Sequence, residues 1–280
     1  MHEWFRTLAV LWFAAFLLTD CKKKMPEIKF DLGKDIVETA RASGVSKFET
    51  RQYARTIIYD ISPVPPEIPA RFVRPGYEIV WSPLYSFSMY ASEKRQRQVD
   101  QVDLGLSSGA FDSHEAARAF VEQTIAQFQK GKWKRHIGDA CPAVTGRSSL
   151  LDEMGQLTAD CSADPEYEFT REEWLHFAHG PIANLPKWEW IGDGVFAQLE
   201  VQITQSPGDT HPKFRMSLEF QIDTVRRQVF ADNVAHDIEE GKAKGWDVEE
   251  RIARGKIETA ARIKVLEANA LKRGDRVVER

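Results

Sequence analysis

The sequence lacks the short motifs that mark several common enzyme classes. It has no G-x-S-x-G nucleophile motif, because Gly146-Arg147-Ser148-Ser149 lacks the second glycine, and it has no P-loop or dinucleotide-binding fingerprint. The H-E-x-x-H zinc motif is broken, since His114-Glu115 is followed by Arg118 where the second histidine would stand. We therefore predict no catalytic residue, no cofactor and a protein that is not an enzyme.

The sequence also lacks an excess of basic residues. Its 38 Lys and Arg are matched by 42 Asp and Glu, and the formal net charge is −4. A nucleic-acid binder normally carries a concentrated basic surface, so this balance excludes nucleic acid as a partner. Acids and bases are interspersed, which still allows local charged patches that contact a protein partner.

Apolar runs are short. Near the N-terminus, Arg6 precedes eleven apolar residues from Leu8 to Leu18. A membrane-spanning helix needs about 20 such residues, whereas the apolar part of a secretory signal needs only about 7–15. We therefore expect residues 1–20 to be a signal peptide. The alternatives are a short membrane anchor and an uncleaved amphipathic N-terminus.

The next residues, Leu18-Thr19-Asp20-Cys21, resemble the bacterial lipobox, in which a cysteine becomes lipidated. Asp20 departs from that pattern, which usually has Gly, Ala or Ser there. The resemblance implies a lipid on Cys21 and a location in the cell envelope, facing the periplasm. The absence of Asp at position 22 resembles the rule for sorting to the outer membrane.

Cysteine is scarce, and the count agrees with export. If Cys21 carries lipid, Cys141 and Cys161 form an even pair in an oxidising compartment. We predict a disulfide between them, which would contribute about 3 kcal/mol by closing the intervening loop. Two free structural thiols, or a nucleophilic cysteine beside a base, are the alternatives.

Period-two patterns predict the fold class. Apolar and polar residues alternate over 195–203 and again over 214–222, and the turn Gly192-Asp193-Gly194 adds a strand over Lys187–Ile191. A sheet with one apolar and one polar face is typical of an α+β protein. We expect one or more antiparallel sheets with helices packed on one face.

The body is predicted to span residues 76–245. Residues 77–133 and 187–246 both have the order strand, strand, strand, helix, which indicates two βββα units or two independently similar layers. Residues 21–75 are predicted to be a lipid tether and an N-terminal segment that ends in a linker, because five prolines fall within 63–75.

Residues 246–280 are predicted to form a charged C-terminal helix. Asp247 and Glu250 make a capping box at its start, and acids and bases alternate along it above a thin apolar stripe. Such a helix lies on the body along one edge or serves as a docking surface. With the loop 141–161, it is a candidate contact for a partner.

Two further groups of side chains are candidates for a site. Glu173, His176 and His179 are spaced by three on one predicted helix and could bind zinc, although the sequence indicates no fourth ligand. We predict no metal and keep these residues as weak candidates. Arg95, Arg97 and Arg147 are not needed for a core and are predicted to contact a partner.

The combination of the lipobox at Leu18–Cys21, an α+β body and charged surfaces resembles the periplasmic immunity lipoproteins that accompany antibacterial effectors of type VI secretion systems. The resemblance implies that the protein binds a secreted toxin. A metal-dependent envelope hydrolase using Glu173, His176 and His179 is one alternative, and an envelope scaffold or assembly lipoprotein is another.

Overall fold

The structure is a computed structural model that describes residues 26–45, 47–107, 109–179, 185–204 and 208–280. In these residues the chain has the predicted α+β class, with helices and two sheets in which every strand pairing but one is antiparallel. The expected signal peptide and Cys21 lie outside the described residues. Among the described helices, none has both the length and the apolar character required to cross a membrane.

Eight antiparallel strands form one large sheet in the body. In spatial order they are β2 (Glu49–Tyr53), β3 (Thr56–Ile61), β6 (Ser86–Ser92), β7 (Val99–Ser107), β11 (Phe214–Ile222), β10 (Val195–Ile203), β9 (Trp188–Gly192) and β8 (Lys134–Arg135). The predicted hairpins of β9, β10 and β11 are confirmed. β7 pairs with β11 and so joins the two halves of the chain.

A smaller sheet covers the inner, apolar face of the large one. It consists of β1 (Ile28–Phe30), β4 (Ala70–Phe72) and β5 (Ile79–Trp81). Its aromatic side chains meet Phe220 of β11, with ring centroids 5.6 Å away for Phe30, 5.0 Å for Phe72 and 5.7 Å for Trp81. These rings are buried, so the apolar core lies between the two sheets.

The proline-rich stretch 63–75 differs from the predicted linker. β4 lies within it, and Val64 and Ile68 are buried in the same core as both sheets. Proline removes a backbone donor, but β4 lies between Pro69 and Pro75 and contains neither. The described residues before position 76 therefore belong to the body rather than to a tether.

The first three helices lie against the body. They are α1 (Ile36–Ala42), α2 (His114–Gln129) and α3 (Arg171–His179). The apolar stripe of α2 is largely buried, and Ser113 caps this helix, because the Ser113 hydroxyl accepts the Ala116 amide at 3.1 Å. α3 begins with a capping box, in which the Thr170 hydroxyl accepts the Glu173 amide at 3.2 Å and the Glu173 carboxylate accepts the Thr170 amide at 3.0 Å.

If residues 187–246 formed a second βββα unit, the helix of that unit would pack on the sheet. The fourth helix, α4 (Asp223–Ala243), is instead largely exposed. Among its residues only Asp223 and Gly241 are buried, and Phe230 is 70% exposed. Charged residues occur on every side of α4, so it has no broad apolar face to bury. The units differ also in their first strands, since β5 belongs to the small sheet and β9 to the large one.

The C-terminal helix is α5 (Val248–Arg273), and the side chain of Asp247 caps it as predicted by accepting the Glu250 amide at 2.9 Å. The stripe expected on α5 is only partly buried: Leu266 lies inside, whereas Ile257 is 72% exposed. α5 lies beside the loop that contains the disulfide.

The predicted disulfide is present. Cys141 and Cys161 are joined, with their Cα atoms 5.7 Å apart. The loop that they close also contacts α5, because Arg262 pairs with Glu153 and with Asp160. The disulfide thus holds together the surface on which the C-terminal helix rests.

Candidate functional site

The outer face of the large sheet carries a continuous row of polar residues. Strand registers place one residue from each of seven neighbouring strands side by side. This set, which we call the acidic row, comprises Glu49, Asp60, Ser88, Asp103, Glu219, Gln198 and Glu189. Five of the seven positions carry carboxylates, so the row concentrates negative charge.

Most of this charge has no cationic partner. Arg51 neutralises Asp60 with a contact of 2.8 Å to each carboxylate oxygen. Asp103, Glu219 and the neighbouring Glu200 form no ion pair within the described part of the chain. Asp103 and Glu219 are direct cross-strand neighbours, an arrangement that destabilises a sheet when both are charged.

The environment raises the pKa of these carboxyls. Burial, together with the charges of Asp103 and Glu200, raises the pKa of Glu219 to about 7. Burial also raises the pKa of Asp103, against the effect of hydrogen bonds from Gln101 and Tyr90. Each shift means that the ionised form is poorly stabilised by the protein alone, which is common at functional sites.

Burial raises the pKa of Glu189 as well, and the charge of Lys187 opposes this effect. Glu189 faces Gln198, which in turn faces Glu219 across the sheet. The half-buried acids therefore extend from β7 through β11 and β10 to β9, a surface four strands wide.

Beside the acidic row, the first turns of α4 lie next to the outer face and border a groove. The cavity measures about 320 Å³ and lies between α4 and strands β3, β6, β7 and β11. Val225 and Val229 of α4 line one side, and Tyr90, Gln101 and Gln221 of the sheet line the other. The groove thus combines apolar surface with hydrogen-bonding groups.

Hydrogen bonds connect the groove to the acidic row. The side-chain Nε2 of Gln221 donates to the side-chain Oε1 of Gln101 at 3.2 Å, and the Nε2 of Gln101 donates to the Asp103 carboxylate at 2.9 Å. Burial and the Asp103 charge raise the pKa of Tyr90 to about 12, so its hydroxyl stays protonated. A ligand that pairs with Asp103 would therefore change the hydrogen bonds of the whole groove.

The predicted arginines do not form one surface. Arg95 lines the groove and pairs with Asp100, and Arg97 is exposed in the adjoining turn. Arg147 lies instead on a short 3-10 helix, Gly146–Leu150, where its Nε donates to Glu173 at 2.6 Å. Of the three predicted contacts, only Arg95 and Arg97 lie beside the outer face.

Glu173, His176 and His179, the weak candidates for metal ligands, do not form a site. Glu173 is buried and its carboxylate accepts from Arg147, from the Tyr167 hydroxyl at 2.9 Å and from the Thr170 amide at 3.0 Å. Its oxygens are therefore used inside the protein, while the ring of His179 packs against His114. Throughout the described ranges, no group of three His, Cys, Asp or Glu residues could hold a metal ion.

Sequence analysis missed the acidic row. The alternation placed Glu200 and Glu219 on the polar faces of their strands, but it contains no information about which strands become neighbours. Comparison with protein-family models, curated proteins and solved structures finds no match for this chain. No relative therefore indicates a ligand or a reaction for the outer face.

Proposed function

We propose that the chain is an exported lipoprotein that binds a protein partner, and that this partner is a secreted antibacterial effector to which it gives immunity. The proposal that the chain binds a partner rests on the acidic row, in which Asp103 and Glu219 lie side by side without a cation. The paired Cys141 and Cys161 support export, because disulfides persist in oxidising compartments.

The chemistry of the face defines the contact. Lysine or arginine side chains of the partner would replace the missing cations beside Asp103, Glu219 and Glu200. Complementary charge of this kind accelerates encounter and selects the correct partner. Val225 and Val229 of the groove supply adjoining apolar contact.

Binding is linked to proton release. Because the pKa of Glu219 is about 7 in the free protein, part of the population carries a proton there near neutral pH. A cation placed beside Glu219 would lower this pKa and expel the proton. Affinity should therefore increase as pH rises through about 7.

Protection of the producing cell tests the function. In the source bacterium, deletion of the gene should sensitise cells to effectors secreted by their siblings, and a plasmid copy should restore resistance. A copy with both Asp103→Asn and Glu219→Gln should protect less well, whereas Glu67→Gln, which removes an exposed carboxylate from the loop before β4, should protect fully. Full resistance of the deletion strain would contradict immunity and favour an envelope scaffold.

Anchoring is tested separately. Replacement of Cys21 by Ser should move the protein from the membrane fraction to the soluble periplasmic fraction. An unchanged distribution would contradict lipidation at this residue without affecting the binding proposal.

A further inference from the structure

A second cavity lies at the β8 edge of the large sheet, on the face opposite the acidic row. Its volume is about 340 Å³, at the lower end of the range for small-molecule sites. Phe128, Trp133 and Trp190 form its buried aromatic wall, and Arg135 and Arg276 also line it. We call this space the tail cavity, because Arg276 belongs to the C-terminal tail, residues 274–280.

The tail is held in place by its backbone. Val277 forms an antiparallel bridge with Val144, the Thr145 amide donates to the Arg276 carbonyl at 2.9 Å, and the Val278 amide donates to the Ala143 carbonyl at 2.8 Å. These bonds fix the position of Arg276 at the cavity without using its guanidinium. Within the described residues, the Arg276 side chain forms no ion pair.

Arg135 is the second cation of the tail cavity. Its Nη1 donates to the Val144 carbonyl at 2.5 Å and its Nη2 to the Ser162 carbonyl at 3.0 Å. Its Nε is buried and has no hydrogen-bond partner in the described structure. A buried donor without a partner costs about 1–3 kcal/mol, so an acceptor at this position would stabilise the protein.

The acids nearest to Arg135 do not supply that acceptor. Asp164 lies 4.0 Å from the Arg135 Nη1, and its two oxygens already accept the Gly146 amide at 2.6 Å and the Glu166 amide at 3.1 Å. Glu166 lines the cavity but is exposed, so solvent screens its charge. The cavity therefore offers two donors to an incoming anion: the spare Nε of Arg135 and the guanidinium of Arg276, which is itself exposed to solvent.

We propose that the tail cavity binds an organic carboxylate with an aromatic or apolar body. The carboxylate would accept from Arg135 and Arg276, because guanidinium groups match carboxylates in geometry and charge. The body would lie against the aromatic wall that Phe128, Trp133 and Trp190 form. Such a ligand is either a free small molecule or the C-terminal carboxylate of a polypeptide.

Calorimetric titration of the full chain tests this site with matched acids and amides. The probes are phenylacetate and phenylacetamide, and a tetrapeptide ending in phenylalanine with a free or an amidated C-terminus. We expect at least one acid to bind and its amide to bind about tenfold more weakly or not at all. Binding of phenylacetate would indicate a small-molecule source, and binding of the peptide acid alone would indicate a polypeptide terminus.

A matched pair of variants locates the site. Arg276→Gln should weaken binding of the acid about tenfold, because it removes one charge-assisted contact while leaving the backbone bonds of the tail intact. Arg273→Gln makes the same change on an exposed residue outside the cavity and should bind like the unaltered protein. Equal affinities for acid and amide, no binding by either acid, or unaltered affinity in Arg276→Gln would overturn the proposal.

Discussion

Replacement of Glu219 by Gln should stabilise the protein at alkaline pH while weakening its function. The folded protein raises the pKa of this carboxyl from 4.5 to about 7, first through burial and then through the charges of Asp103 and Glu200. The folded form thus binds the proton more tightly than the unfolded form. The free energy of unfolding therefore falls as pH rises from about 4.5 to about 7.

The expected gain in stability follows from the difference in the pKa of Glu219 between the folded and unfolded forms. A change in pKa from 4.5 to about 7 corresponds to about 3 kcal/mol between the protonated and ionised forms. Glu219 is only half-buried, and solvent screening reduces the expected gain of Glu219→Gln to about 1–2 kcal/mol at pH 8. At pH 5 the folded carboxyl is already protonated, so the gain should be much smaller.

Urea unfolding of both proteins at pH 8 and pH 5, followed by tryptophan fluorescence, measures this difference. Glu258→Gln is the control, because it removes a carboxylate from an exposed position on α5. The reasoning is refuted if Glu219→Gln is no more stable than the unaltered protein at pH 8, or if its gain is the same at both pH values. A gain in stability accompanied by weaker protection would identify Glu219 as a residue kept for binding.

Three other changes test the structure. Replacing both Cys141 and Cys161 by Ser should lower the free energy of unfolding by about 3 kcal/mol in chemical denaturation. Adding reductant to the unaltered protein should cause an equal loss. Gly241→Ala should lower the thermal midpoint by several degrees, since an added Cβ would lie 2.1 Å from a methyl group of Val248. An unchanged midpoint would show that α4 and α5 can move apart at this contact without loss of stability. Burial opposes ionisation of Glu173, but its hydrogen bonds outweigh this effect and lower the pKa of Glu173. The stability that ionised Glu173 contributes should therefore be present at neutral pH and be lost as pH falls below the ordinary carboxyl range. Glu173→Gln should lower the free energy of unfolding by about 1.5–3 kcal/mol at pH 7 and make it depend less on pH in the acid range.

Much of the local structure could be predicted because its causes lie within a few residues. Alternation over 195–203 and 214–222 determines which side chains face the core once these segments are strands. Caps depend on contacts three residues apart, and Asp247 was identified correctly as a cap in this way.

The candidate site was less predictable. Arg95 was identified because a charged turn residue is not needed for the core, and it does line the groove. Arg147 satisfies the same criterion, but it pairs with Glu173, a residue 26 positions away in the chain. That pair also removed Glu173 from the predicted metal ligands, since a carboxylate held by an arginine cannot serve freely as a ligand.

The sequence by itself determined the α+β class and the apolar face of each central strand, because residue periodicity is a local property. It predicted the pairing of Cys141 with Cys161 only on the condition that Cys21, the third cysteine, carries lipid, and the structure shows that pair directly. Only the tertiary structure decided that Asp103 lies opposite Glu219, although 116 residues separate them in the chain. The register of distant strands is set by the packing of the core beneath them. The acidic row on the outer face is a consequence of that packing.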